Sequence, residues 1–135
     1  MLATGHIYFL QVRAFNPPKS KYLALAYLSP EDKVRFFVVN SKRTPLQKRQ
    51  AELRLHLISL PKGTHNFLGH DSWLDCSELI GGWTGAELRT KIDKDPSIYI
   101  CKLNPNILAQ VRKVVSDSRI LSARDKALIM AQWPL

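Results

Sequence analysis

The chain predicts an α+β fold, a small curled antiparallel β-barrel with a short helix between strands and helices at its C-terminal end. Three observations predict it. Strand-like runs fill the first half and helix-like runs the second, with little strand–helix–strand alternation, so a parallel sheet is disfavoured. Two apolar runs are separated only by Pro30-Glu31-Asp32, which reads as a hairpin. The 135 residues are 45% hydrophobic and 23% charged, enough for one domain with a core that needs no metal or disulfide staple. Residues 1–135 are therefore read as one domain, the barrel over about 5–103 and the helical part over about 105–132.

The first strand is His6-Ile7-Tyr8-Phe9-Leu10-Gln11-Val12-Arg13, aromatic and β-branched, ended by the breaker Asn16-Pro17-Pro18. Lys21 to Ser29 and Lys33 to Asn40 form the hairpin. In the second of these little polarity survives after Arg35, so it is expected at the centre of the sheet with both faces covered. Leu53-Arg54-Leu55-His56-Leu57 alternates and predicts a fourth strand with Arg54 and His56 on the wet side. A fifth runs from about Ser72 to Leu79 and a sixth from Ile98 to Leu103. Thr84 with Glu87 makes a capping box that opens a helix burying Leu88 and Ile92. Pro105 suits a first helical turn, after which Ile107, Leu108, Val111, Val114 and Val115 form one apolar stripe with Arg112 and Lys113 facing solvent. Ser122 with Asp125 opens a last helix carrying Ala127, Leu128 and Met130. Trp73 and Trp83 each sit inside an apolar block and are expected in the core.

The formal charge of +9, with a pI near 9.8, favours a polyanionic partner, either nucleic acid or an acidic protein. No apolar run is long enough for a membrane helix, and no basic-then-apolar leader opens the chain, so no membrane association is expected. Cys76 and Cys101 lie in apolar, strand-like settings and are expected as free thiols, which points to the cytoplasm. The connection Ser41 to Ala51 carries Lys42, Arg43, Lys48 and Arg49 and no acidic residue. A basic loop tracking a phosphate backbone is its functional reading, and a solvated charged loop is the other.

No phosphate-cradling glycine loop, cysteine pair with zinc spacing or nucleophile elbow is present. His65, His70, Asp71 and Cys76 match no compact ligand spacing, and no metal or cofactor is expected. A metal-dependent hydrolase on His65, His70 and Asp71 is the third functional alternative. His6, His56, His65 and His70 supply candidates for an acid–base pair, although nothing in the sequence brings two of them together. Lys19 and Lys21 stand at the start of the second strand, Ser41 and Thr44 just past the end of the third. Hairpin geometry puts a strand's start beside its partner's end, so Lys21 and Ser41 are expected as neighbours. An ammonium and a hydroxyl together can orient a phosphate and hold the extra charge of its transition state. The run Phe67-Leu68-Gly69-His70-Asp71-Ser72 reads as a polar turn in which Asp71 and Ser72 bond to backbone.

The segments Lys21-Tyr22-Leu23-Ala24-Leu25-Ala26, Phe37-Val38-Val39-Asn40-Ser41, His70-Asp71-Ser72-Trp73-Leu74-Asp75-Cys76-Ser77 and Gly81-Gly82-Trp83-Thr84 together resemble the MazF/PemK (Kid) toxin family, over roughly residues 5 to 120. The resemblance implies an SH3-like barrel, a homodimer, metal-independent cleavage of single-stranded RNA through the neighbouring 2′-hydroxyl, and inhibition by an acidic antitoxin-like protein. It puts the family's catalytic arginine at Lys21 and its threonine at Ser41 or, with a small gap, Thr44. Lysine keeps the charge but lacks the guanidinium fork. Tyr22 replaces the usual proline, and the tail after Asp95 is long for a minimal toxin. The expected function is a toxin-like endoribonuclease with Lys21 and Ser41 or Thr44 at the scissile phosphate and Lys19, Lys42, Arg43, Lys48 and Arg49 on the RNA. The alternative is an inactive barrel that binds nucleic acid or an acidic protein.

Overall fold

The structure, a computed structural model, describes residues 2–134. Strands β1 (His6–Val12), β2 (Lys19–Leu28), β3 (Val34–Asn40), β4 (Leu57–Leu60), β5 (Ser72–Ile80) and β6 (Tyr99–Lys102) form one sheet. Their spatial order is β4-β5-β3-β2-β1-β6, and every neighbouring pair is antiparallel. The sheet curls into a half-barrel with five helices, an α+β fold as expected. Register shifts between Ile7 and Tyr8, Leu25 and Tyr27, and Phe36 and Val38 let the sheet bend, because a bulge adds twist to the strand that carries it.

The two-residue period of β3 explains the layering. Phe37 and Val39 point to one face, where α4 (Pro105–Asp117) and α5 (Ala123–Gln132) cover them through Ile107, Leu108, Val111, Val115, Ile129 and Trp133. Phe36 and Val38 point to the other face and share a second core with Tyr8, Leu23, Leu25 and Leu88 of α3 (Gly85–Lys94). β3 lies between β2 and β5, central and covered on both faces. The Thr84 capping box forms as read: Thr84 Oγ1 accepts from Glu87 N at 3.1 Å, and Glu87 Oε1 accepts from Thr84 N at 3.0 Å. Asn104 caps α4 ahead of Pro105, and Ser122 caps α5.

Four expectations need correction. Leu53 to Leu57 is not a strand: Ala51–Leu55 forms α2, and pairing begins only at Leu57. Ala, Glu, Leu and Arg are strong helix formers, and five alternating residues are too few to outweigh them. His56, expected on the wet side, is only 2% exposed. Its Nδ1–H donates to Glu52 O at 2.7 Å. Its Nε2 accepts from the Ser118 hydroxyl at 2.6 Å, while that hydroxyl oxygen accepts the Ile120 and Leu121 amides. Second, the Ser41–Ala51 connection is no open loop but contains α1 (Pro45–Arg49), opened by a Thr44–Gln47 capping box. Third, Trp133 is the fully buried tryptophan, its Nε1 donating to Leu108 O, whereas Trp73 and Trp83 are half-buried. Fourth, Arg112, expected to face solvent, turns back to donate to Trp133 O; α5 forms as read, with Leu128 and Met130 packed on the core beside buried Ile129. The C-terminal segment thus packs on its own sheet; Leu135 lies outside the described residues.

Candidate nucleic-acid interface

The β2–β3 register decides which polar groups meet. Leu23 lies opposite Val38, so continuing the pairing by two residues puts Lys21 opposite Asn40. Lys21 Nζ donates to Asn40 Oδ1 at 3.0 Å. Ser41 is one residue further along, and with a period of two its side chain leaves the sheet by the opposite face. Lys21 and Ser41 are neighbours as expected, both lining a cleft at this sheet edge, but the Lys21 ammonium bonds Asn40 and not the Ser41 hydroxyl.

On the Lys21 face a groove of about 360 Å³ runs between Phe15 of the β1–β2 loop and Thr44 and Leu46 at the start of α1, over a floor that includes Asn40 and Asp75. The lining carries two carboxylates, Asp75 and Glu78, and Lys21 is not part of it; Lys21 reaches the groove only through two lining residues, bonded to Asn40 and with its ammonium 6.0 Å from the Phe15 ring centroid. Burial, then the neighbouring Lys19, lowers the Lys21 pKa below the ordinary lysine value. Asp75 is buried but satisfied: Oδ2 accepts from Gln47 Nε2 at 3.0 Å, and Oδ1 accepts from Ser77 N and Oγ at 2.9 and 2.6 Å. Gln47 Oε1 in turn accepts from Thr44 N, and Gln47 N donates to Thr44 Oγ1. The Thr44 oxygen is thus occupied as a cap, while among the described residues its proton is given to no protein acceptor.

The ion pairs among the described residues are Arg89–Asp32, Lys113–Asp117 and Arg124–Glu31. None involves Lys19, Lys21, Lys42, Arg43, Lys48 or Arg49, so this end of the sheet holds six cations and no salt-bridged carboxylate. Arg43 lies over the Trp73 ring at 5.4 Å, and Asn40 faces Trp73 across β3 and β5. Lys19 and Lys42 are exposed at the strand ends. Lys48 and Arg49 occupy the last turn of α1, where cations suit the helix dipole, and neither lines the groove. The useful residues missed by sequence reading are Asn40, Phe15, Trp73 and Gln47. The Thr44-Pro45-x-Gln47 capping spacing was the available signal for Gln47; the others depend on a register that only the folded hairpin shows.

The remaining candidates are dispersed. His6 Nδ1 lies 2.9 Å from Tyr99 Oη, His56 is buried under α4, and His65 Nε2 accepts from Asn104 N at 3.0 Å. His70 is exposed beside Ser72, so no histidine reaches the groove. Asp71 Oδ1 accepts from Lys62 N at 2.9 Å and ties the ends of the β4–β5 loop, the backbone role expected of it. Among the described residues no three metal-ligating side chains converge, and no helix is long and apolar enough to cross a membrane. Cys76 and Cys101 are free, and burial pushes both thiols up. Comparison of the chain with models of protein families, with curated proteins and with solved structures finds no match.

Proposed function

We propose that the Lys21 groove binds single-stranded RNA and that the protein cleaves it without a metal, as a toxin-like endoribonuclease. One observation carries this reading: a half-buried ammonium beside Asn40 of the groove has, among the described residues, an amide oxygen as partner and no ion-paired carboxylate. A cation stripped of part of its water and left unpaired gains most from an anion delivered in solution. The Thr44 hydroxyl supplies a second donor, and Phe15 on the groove wall offers a π-face for an unstacked base. The curled half-barrel agrees with the fold that the MazF/PemK-like segments imply.

In the proposed reaction the ribose 2′-hydroxyl gives its proton to solvent water as its oxygen attacks the adjacent phosphorus, and the 5′-oxygen leaves and takes a proton from water, giving a 2′,3′-cyclic phosphate and a 5′-hydroxyl. Negative charge grows on the phosphoryl oxygens, and Lys21 and Thr44 are the donors that take it. With no histidine in the groove, the acceleration rests on charge stabilisation rather than on an acid–base pair. An acidic antitoxin-like protein would compete for the same cations, and the homodimer and cytoplasmic setting expected from the sequence belong to this reading.

Incubation with single-stranded RNA in EDTA tests it. Fragments with cyclic-phosphate or 3′-phosphate ends are expected, lost in Lys21→Ala. Intact RNA at high protein concentration, unchanged by added metals, ends the nuclease reading. A non-catalytic RNA-binding module is the second reading, favoured by the commitment of the Thr44 oxygen to Gln47 N and by Ser41's exit on the other face. It predicts salt-sensitive binding without turnover.

A further inference from the structure

A second cleft, of about 220 Å³, opens on the other face of the same strand ends. Continuing the β2–β3 register puts Ser20 opposite Ser41, and continuing the β3–β5 register puts Ser41 opposite Ser72. Three hydroxyls therefore form one row across three strands. One row deeper, Phe9 pairs with Tyr22, and Phe67 of the β4–β5 loop closes the far side. The Phe9–Tyr22 and Tyr22–Phe67 ring centroids are each 4.7 Å apart. Phe9 remains 39% exposed on a strand whose neighbours Tyr8 and Leu10 are core. Among the described residues the Ser20, Ser41 and Tyr22 hydroxyls bond no other side chain, whereas buried Ser72 Oγ lies 3.3 Å from both His70 O and His70 Nδ1 and is already engaged.

Flat aromatic faces beside unused hydroxyls are what an unstacked base needs, a surface to lie against and partners for its polar edge. The cleft is smaller than the roughly 300 Å³ at which drug-sized sites begin, so it holds one ring system and not two. Its lip also fixes the occupant: Ser20 lies between Lys19 and Lys21, and Ser41 precedes Lys42, so the cleft opens beside unpaired cations that attract a phosphate chain. We infer that this cleft receives one unstacked nucleobase of a single-stranded RNA whose backbone passes over the Lys19–Lys21 and Lys42 lip. The inference rests on the RNA reading of the groove. It adds that the strand is held from both faces of the sheet, phosphate on one and base on the other. Hydroxyls both donate and accept, so only modest preference among bases is expected.

Two measurements separate this inference from the groove reading. In the first, uridine and adenosine, which carry no phosphate, are titrated into the protein and followed by NMR. Shifts centred on Phe9, Tyr22 and Phe67 are expected, and shifts spread elsewhere or absent overturn the cleft. In the second, a uridine oligonucleotide is compared with an abasic ribose-phosphate chain of equal length. The native protein should prefer the base-bearing chain by about five- to a hundredfold, the range for stacking on one aromatic surface. Phe9→Ala should remove most of that preference while leaving the salt slope unchanged. Ser41→Ala, at an exposed position, gives the same comparison if Phe9→Ala folds poorly. Equal binding of the two chains by the native protein overturns the base pocket and leaves the groove standing. Binding of neither chain at low salt sinks the groove reading, and the nucleoside shifts then judge the cleft alone.

Discussion

At the scale of single residues the decisive fact is that Lys21 faces Asn40 and not Ser41. An ammonium without a counter-ion should behave as one phosphate contact. Lys21→Gln is expected to lower the slope of log affinity against log salt by about 0.7 for single-stranded RNA. An unchanged slope in a salt titration would mean that Lys21 touches no phosphate. Burial, and then Lys19, lower its pKa, so Lys21 should give up its charge before an ordinary lysine does. RNA affinity should then fall on alkalinisation before exposed lysines titrate, and Lys21→Arg should move that loss to higher pH. His65 makes a prediction for stability. It is buried, among the described residues its Nδ1 has no partner, and burial lowers its pKa from 6.5; His6 is lowered too, by burial and then by Lys102. A depressed histidine value means the unfolded chain binds the proton first. Stability is therefore complete above about pH 6.5 and declines as the pH falls below it toward the folded-state value. Thermal melts between pH 7.5 and 5 should show this, with a shallower decline in His65→Gln; a melting temperature that rises on acidification contradicts it.

At the scale of elements the basic connection between β3 and β4 matters most, because it is ordered. Two short helices replace the open loop, and their anchor is a chain of hydrogen bonds from Thr44 through Gln47 to buried Asp75. Thr44→Ala removes the cap and should cost about 1 kcal/mol. Gln47→Leu should cost more, about 1–3 kcal/mol, because it leaves a buried carboxylate oxygen unpartnered. Denaturant midpoints check both, and the reverse ranking would show that the Asp75 bond is not what holds α1 down. Holding α1 also sets one wall of the groove, so Gln47→Leu should weaken RNA binding although it removes no charge. Gly5 is a second constrained position. Its φ is +77°, and a Cβ there would lie 2.7 Å from Leu108 Cδ2, so Gly5→Ala strains both the turn into β1 and the seat of α4.

At the scale of the whole molecule the sheet is a partition. α4 and α5 cover one face, α3 covers the other, and the two grooves open where β2 begins and β3 ends, beyond the reach of those helices. Trp133 joins the C-terminal segment to the larger core, packing against Phe37 with centroids 6.2 Å apart. Trp133→Ala should destabilise by about 3–5 kcal/mol, measured by denaturant unfolding. A loss under 1 kcal/mol would make α5 an accessory rather than a structural layer.

The Pro30–Asp32 hairpin, the capping box at Thr84, the Ser122 cap and the α4 stripe were all legible from the residues, because each depends on partners within a few positions of one another. So was the surplus of positive charge, which is a sum over composition. The helix over Ala51–Leu55 was not legible, since Leu53 to Leu57 satisfies both periods and the buried link from His56 to Ser118 spans 62 residues. Nor was the face on which each polar side chain stands at the mouth of β2 and β3. A shift of one residue in pairing reverses every side chain, and that register is settled by how two cores pack on either side of the sheet. The sequence by itself therefore determined most of the strands, the helices from Thr84 onward and the surplus of positive charge. Tertiary structure alone decided that Lys21 meets Asn40 while Ser41 joins Ser20 and Ser72 on the opposite face.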